Sequence, residues 1–88
     1  MYLEIITPDQ KVFEGEVISV SFPGTDGSFQ VLNNHAPLVS TLTKGTIEFE
    51  SKESIDDVII NGGVVEVLNN RVIVLAEGII EEEEEEEE

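Results

Sequence analysis

The sequence lacks several residue types that would indicate particular chemistry. It has no cysteine, no tryptophan, one histidine and four basic residues among 88. Without cysteine there is no disulfide framework, thiolate nucleophile or thiolate metal site. Four basic side chains cannot form the patch that binds nucleic-acid phosphates or an anionic membrane surface. No apolar run approaches the roughly 20 residues that span a bilayer, and the start lacks the basic character of a secretory signal, so we expect a soluble, cytoplasmic chain with no direct membrane insertion.

Acidic residues are the component in excess. Twenty of them against four basic residues give a net charge of -16. Eight glutamates form the unbroken run 81–88, so half of this charge lies in the run and half in the other 80 residues. Adjacent glutamates repel one another and bury no apolar surface. We therefore predict one domain over residues 1–80, followed by a disordered poly-Glu tail over 81–88.

Apolar residues recur at every second position in short runs, which is typical of half-buried strands. Pro8 indicates a turn after the first run. Asn61-Gly62 and Asn69-Asn70 have the spacing of two-residue hairpins, which would make residues 55–76 a three-stranded antiparallel meander. The pattern yields eight or nine short strands and predicts an all-β fold, a flattened antiparallel β-sandwich or barrel. We expect Phe13, Phe22 and Phe49 to lie in its core.

The residues give little support for catalysis. His35 could act as a general base or a metal ligand, but no second histidine accompanies it, and packing or hydrogen bonding in a loop accounts for it more simply. No serine stands in a Gly-x-Ser-x-Gly nucleophile elbow. Asp56 and Asp57 are consecutive strand residues and point to opposite faces, so their carboxylates do not converge. We expect no catalytic residue, no metal and no cofactor, and we look for function in the surfaces.

One segment carries a family resemblance. Residues 27–38 read Gly-Ser-Phe-Gln-Val-Leu-Asn-Asn-His-Ala-Pro-Leu. They resemble the signature of the epsilon subunit of rotary ATP synthases, usually Gly-x-aromatic or Leu-Gly-aliphatic-Leu-Pro-Gly-His-Ala-Pro-Leu. Four flanking motifs agree in order and spacing, and the resemblance spans residues 2–77. These motifs lie at residues 13–17, 43–45, 62–67 and 72–76.

The resemblance implies a flattened sandwich of about ten strands with a non-catalytic role. Such a subunit forms the central stalk, or rotor, with the gamma subunit. It sits on the loops of the c ring at the cytoplasmic face of the inner membrane and couples proton-driven rotation to ATP synthesis. By resemblance, Asp26, Gly27, Ser28 and His35 lie near the end that faces the c ring. The first three are equally consistent with an ordinary solvated turn.

The surface that faces gamma is left open by the sequence. Two alternatives are one face of a strand, with Val64, Glu66 and Leu68, or its opposite face, with Val65 and Val67. An alternative function is a free-standing β-sandwich module that binds carbohydrate or peptide. Such binders usually expose aromatic side chains, which are few in this sequence.

The sequence also departs from the family pattern. Asn33-Asn34 replaces Pro-Gly and Gln30 replaces Gly, which affects only the local turn shape because asparagine tolerates left-handed backbone angles. Many members continue into a hairpin of two helices that restrains ATP hydrolysis and in some cases binds ATP. The run 81–88 has no apolar stripe of a packed helix, so we expect helix-mediated inhibition and ATP binding to be absent.

Overall fold

The computed structural model describes residues 1–81 and contains ten β-strands in that range. They are β1 (Tyr2–Ile6), β2 (Lys11–Glu16), β3 (Ser19–Gly24), β4 (Gly27–Leu32), β5 (Leu38–Leu42), β6 (Gly45–Glu50), β7 (Ile55–Ile60), β8 (Gly63–Leu68), β9 (Arg71–Ala76) and β10 (Ile79–Ile80). The all-β prediction is confirmed, and the number of strands is the ten that the resemblance implies. The predicted tail lies outside the described residues from position 82 onwards. None of the described residues belongs to a helix long and apolar enough to cross a membrane.

The strands form one continuous sheet that folds into two layers. Its order is β10-β7-β6-β3-β5-β8-β9-β1-β2, and β4 pairs with β3. The first layer therefore holds β10, β7, β6, β3 and β4, and the second holds β5, β8, β9, β1 and β2. The two layers are joined where Gly24 of β3 pairs with Leu42 of β5. Pairing is antiparallel throughout except between β1 and β9, which run parallel.

The core lies between the two layers and explains the alternation in the sequence. Every second residue of each central strand points inward, so Val20 and Phe22 of one layer face residues such as Val65 and Val74 of the other, all of them buried. Phe49 is buried too. Phe13 is half-buried and packs against Phe49 with ring centroids 4.4 Å apart. The expected positions of these aromatic residues in the core are confirmed.

The two predicted hairpins have different outcomes. Asn69 and Asn70 connect β8 to β9 as predicted, and both adopt left-handed backbone angles, with φ of 52° and 61°. The prediction for Asn61-Gly62 is wrong, because β7 pairs with β6 and β10 while β8 pairs with β5 and β9. This connection carries the chain from one layer to the other. An Asn-Gly dipeptide suits a sharp turn within a hairpin and a sharp turn between two layers equally well, so the dipeptide alone does not identify a hairpin.

Candidate functional site

The turn that contains Asp26 lies at one end of the sandwich. Thr25 and Asp26 connect β3 to β4 and lie between Gly24 and Gly27, the last pair of the two strands. Gly27 has φ of 129°, a backbone angle that side chains rarely permit. Thr25 holds the turn against β5: its N–H donates to the carbonyl oxygen of Thr41 at 3.2 Å, and the two hydroxyls lie 2.8 Å apart. Residues 25–28 are exposed, so Asp26 presents its carboxylate to solvent.

His35 lies at the opposite end of β4, so the expectation that it shares one end of the sandwich with Asp26 is wrong. Gly27 begins β4 and Leu32 ends it, so the six-residue strand separates the turn from the loop of His35 by roughly 17 Å. The loop then joins β5 at Leu38, the end of that strand remote from Thr41. Spacing along the chain does not reveal this separation, because eight residues can be an extended strand or a compact loop.

Asparagine side chains organise the end that contains His35. The N–H of Asn34 donates to Oδ1 of Asn70 in the β8–β9 hairpin at 2.7 Å, and Asn34 has a left-handed φ of 62°. The α-amino group of Met1 donates to Oδ1 of Asn33 at 2.8 Å. His35 itself has Nδ1 2.7 Å from the carbonyl oxygen of Ala36. The side chain of Asn33 thus ties this loop to the amino terminus, and the side chain of Asn70 ties it to the neighbouring hairpin.

A cluster of polar side chains lies across the outer side of β1 and β2. The Tyr2 hydroxyl donates to Glu14, and Lys11 contacts Glu14 at 2.8 Å and Glu4 at 3.3 Å. The Arg71 guanidinium lies 4.6 Å from the centre of the Tyr2 ring. The hydrogen bond to Glu14 is the main reason that the pKa of Tyr2 rises to about 12. Lys11 and Tyr2 lower the pKa of Glu14, and Glu14 and Glu4 raise the pKa of Lys11.

An apolar surface covers the outer side of β5, β8 and β9. We call it the outer apolar face and define it by Val39, Val64, Leu68, Ile73 and Leu75. Val39 is 70% exposed and Leu75 is 54% exposed. The strand register brings the members together across the sheet, since Val64 pairs with Leu75. Glu66 lies among them, between Val39 and Ile73.

The outer side of the first layer is polar by contrast. Glu48 pairs with Ser21 of β3 and Asp57 of β7, and Glu50 pairs with Ser19. No group of three or more acidic, histidine or cysteine side chains among residues 1–81 is arranged to hold a metal ion. The strongly exposed large apolar residues of the described chain are aliphatic. Four of these seven residues belong to the outer apolar face, which makes this face the candidate for contact with a protein partner.

The architecture defines a β-sandwich domain of ten strands, with surfaces rather than a cleft as candidate sites. A family model described as "ATP synthase, Delta/Epsilon chain, beta-sandwich domain" matches residues 1–82. The chain belongs to this family, which confirms the resemblance found in the sequence.

Individual relatives agree with the family match. An "ATP synthase epsilon chain" of Sulfurimonas denitrificans is 46% identical over 76 residues, which cover 85% of this chain and 58% of that protein. One of Campylobacter curvus is 42% identical over 78 residues, covering 88% and 60%. A shorter relative with the same name from Chlorobium limicola is 45% identical, covering 85% and 86%. The chain spans less than two thirds of the first two relatives.

Solved structures show the same fold. A chain in the cryo-EM structure of the Euglena gracilis mitochondrial ATP synthase, OSCP/F1/c-ring, superposes with a TM-score of 0.82 at 23% identity, covering 89% of this chain and 51% of that one. A chain in the Tetrahymena thermophila mitochondrial ATP synthase central stalk and c-ring structure gives 0.76 at 17% identity, covering 90% and 64%. At these identities the likeness establishes the fold alone.

Proposed function

We propose that the chain is a non-catalytic subunit of the central stalk of an ATP synthase. In this role it binds the gamma subunit and the c-ring loops at the cytoplasmic face of the inner membrane, and it couples proton-driven rotation to ATP synthesis. The observation that carries the proposal is the outer apolar face on a sandwich of this family. A domain that works by transmitting torque needs a firm protein contact, and such contacts bury apolar side chains at their centre.

The outer apolar face is the surface we assign to gamma. Of the two alternatives left open by the sequence, Val65 and Val67 are buried in the core and cannot meet a partner. Val64 and Leu68 are exposed by 39% and 46% and belong to the outer apolar face. The outer side of the other layer holds three carboxylates, those of Glu48, Glu50 and Asp57, whereas the outer apolar face holds Glu66 alone, so a contact on the other layer would bury more charge at a higher cost.

For the c ring we propose the turn with Asp26, Gly27 and Ser28. These residues are exposed at one end of the sandwich, and Asp26 offers a charge that polar loops of a ring can pair with. His35 faces the other end and is left out of this contact. A partner on the outer apolar face and a ring at the Asp26 end occupy different parts of the domain, so both can bind together.

The proposal is tested by measuring the affinity of the purified chain for its gamma subunit. We expect the chain and gamma to form a stable complex on a sizing column. Leu75→Asp should weaken the affinity by at least about tenfold, because it removes apolar area from the contact and would bury a carboxylate there. Ile55→Asp is the matched control, since Ile55 is 62% exposed on the other layer. Equal loss in both variants would refute the assignment of the face, and no complex with soluble gamma would refute the function.

A further inference from the structure

Strand β4 forms an open edge of the first layer. Among residues 1–81 it pairs with β3 only, in an uninterrupted register from Leu32 to Gly27. In an antiparallel pair, the N–H and C=O of one residue point to the same side, and the side alternates along the strand. The outward-pointing groups of β4 are therefore available to another chain.

The backbone direction of Pro23 shows which residues of β4 point their N–H and C=O groups away from β3. The carbonyl oxygen of Pro23 accepts a hydrogen bond from the N–H of Thr43 at 2.8 Å, on the side away from β4. Its partner in β4, Ser28, must therefore also direct its backbone groups away from β3, as must Gln30 and Leu32. These three residues are exposed, and they present a row of donors and acceptors at the open edge.

Other edges of the sandwich carry devices that discourage pairing. Strand β2 has charged residues and a register shift opposite Ile5 and Ile6. Strand β7 has Asp56 and Asp57 on its free part, and β10 covers its end. Strand β5 bonds to the β3–β4 hairpin near Thr41. Strand β4 has no charge, no proline and no shift of register, and such an edge in a soluble protein is a template for strand addition.

We propose that the β4 edge accepts an extended segment of the gamma subunit, which adds a strand to the first layer. This inference rests on the proposed function. The position of this edge supports gamma as the occupant. Strand β5 lies beside the β3–β4 hairpin and carries Val39 of the outer apolar face, which is the surface we assign to gamma. A second copy is disfavoured as the occupant because each chain carries a net charge of -16.

Amide hydrogen exchange of the free chain and of its complex with gamma tests the inference by NMR. We expect the amides of Ser28, Gln30 and Leu32 to exchange at least about tenfold more slowly in the complex. The amides of Phe29 and Val31, which already bond to β3, serve as internal controls and should change little. If the complex forms and the first three amides exchange as in the free chain, the inference is wrong and the proposed function stands. Failure to form any complex overturns both.

A proline variant tests the same edge through affinity. Gln30→Pro removes an outward N–H and leaves the bonds to β3 in place, so the fold should persist while binding to gamma weakens about tenfold. Gln30→Ala keeps the N–H and should bind as the original chain does. Asp57→Pro is the control at another edge. The N–H of Asn61 donates to the carbonyl oxygen of Gly78 beside β10, so by alternation along β7 the N–H of Asp57 also points away from β6. Equal weakening by the alanine variant, or a dimer of the free chain that protects the same amides, would overturn the inference.

Discussion

The ionisation of Tyr2 provides a direct test of the polar cluster on β1 and β2. Tyr2 is the one tyrosine in a chain without tryptophan, so the ultraviolet absorbance of tyrosinate reports this residue alone. Its hydroxyl donates to Glu14, whose negative charge opposes loss of the phenolic proton. We expect the pKa of Tyr2 in the folded chain to be about 12, compared with an ordinary value of 10.0.

The size of the effect is large at a single pH. At pH 11, a tyrosine with a pKa of 12 is about one tenth ionised, whereas one with a pKa of 10 is about nine tenths ionised. Glu14→Gln removes the negative charge and should move the midpoint toward 10. Glu53→Gln, in the exposed β6–β7 connection, should leave it unchanged. The assay is an absorbance titration, with circular dichroism at each pH to establish that the chain stays folded.

The same cluster makes stability depend on pH at both extremes. Because folding raises the pKa of Tyr2, its contribution is complete below about pH 10 and is lost as the pH rises toward 12. Folding lowers the pKa of Glu14, so its contribution is present above about pH 4.5 and declines as the pH falls. A native midpoint near 10, or one that Glu14→Gln does not move, would refute the hydrogen bond between Tyr2 and Glu14.

Two further predictions concern folding stability, measured by thermal and urea denaturation. Gly63→Ala should destabilise the chain by about 2 kcal/mol, because the added Cβ would lie 2.4 Å from the carbonyl oxygen of Leu75. Gly15→Ala is the control and should cost less than about 1 kcal/mol, because its Cβ meets only a side chain. Equal losses of stability in the two variants would contradict this reasoning. Asn70→Ala should cost about 2 kcal/mol of folding stability, because it removes both a hydrogen bond and a residue suited to the left-handed backbone angle. Asn70→Gly should cost about 1 kcal/mol, because glycine accepts that angle and only the hydrogen bond is lost. Equal costs would show that the backbone angle is irrelevant.

The fold class could be predicted because local rules govern it. Alternation places Val20 and Phe22 on one side of a strand whatever its neighbours are, and the structure buries both. The two-residue turn at Asn69 and Asn70 is also local, since both residues need left-handed angles. Residues 11–16 and 79–80 form strands that carry little local signal. Strand β2 lies at an edge with little alternation, and β10 has only two residues, so neither shows a clear period.

The candidate site depended more on tertiary structure. The motif of residues 27–38 identifies the family, yet its spacing does not reveal that Asp26 and His35 lie at opposite ends of β4. Similarly, the sequence offered two faces of β8 as candidates for contact with gamma. Burial of Val65 and Val67 between the layers removes one of them, because a residue packed in the core is unavailable to a partner.

By itself, the sequence determined an acidic, cysteine-free β-domain of one family, because composition, alternation and a motif are properties of neighbouring residues. Only the tertiary structure decided which strands pair. It separated β7 from β8 despite the short Asn61-Gly62 connection, and it left β4 as an uncharged open edge. Strand pairing brings together residues distant in the chain, and their partners are selected by the packing of the whole core, which no local pattern contains.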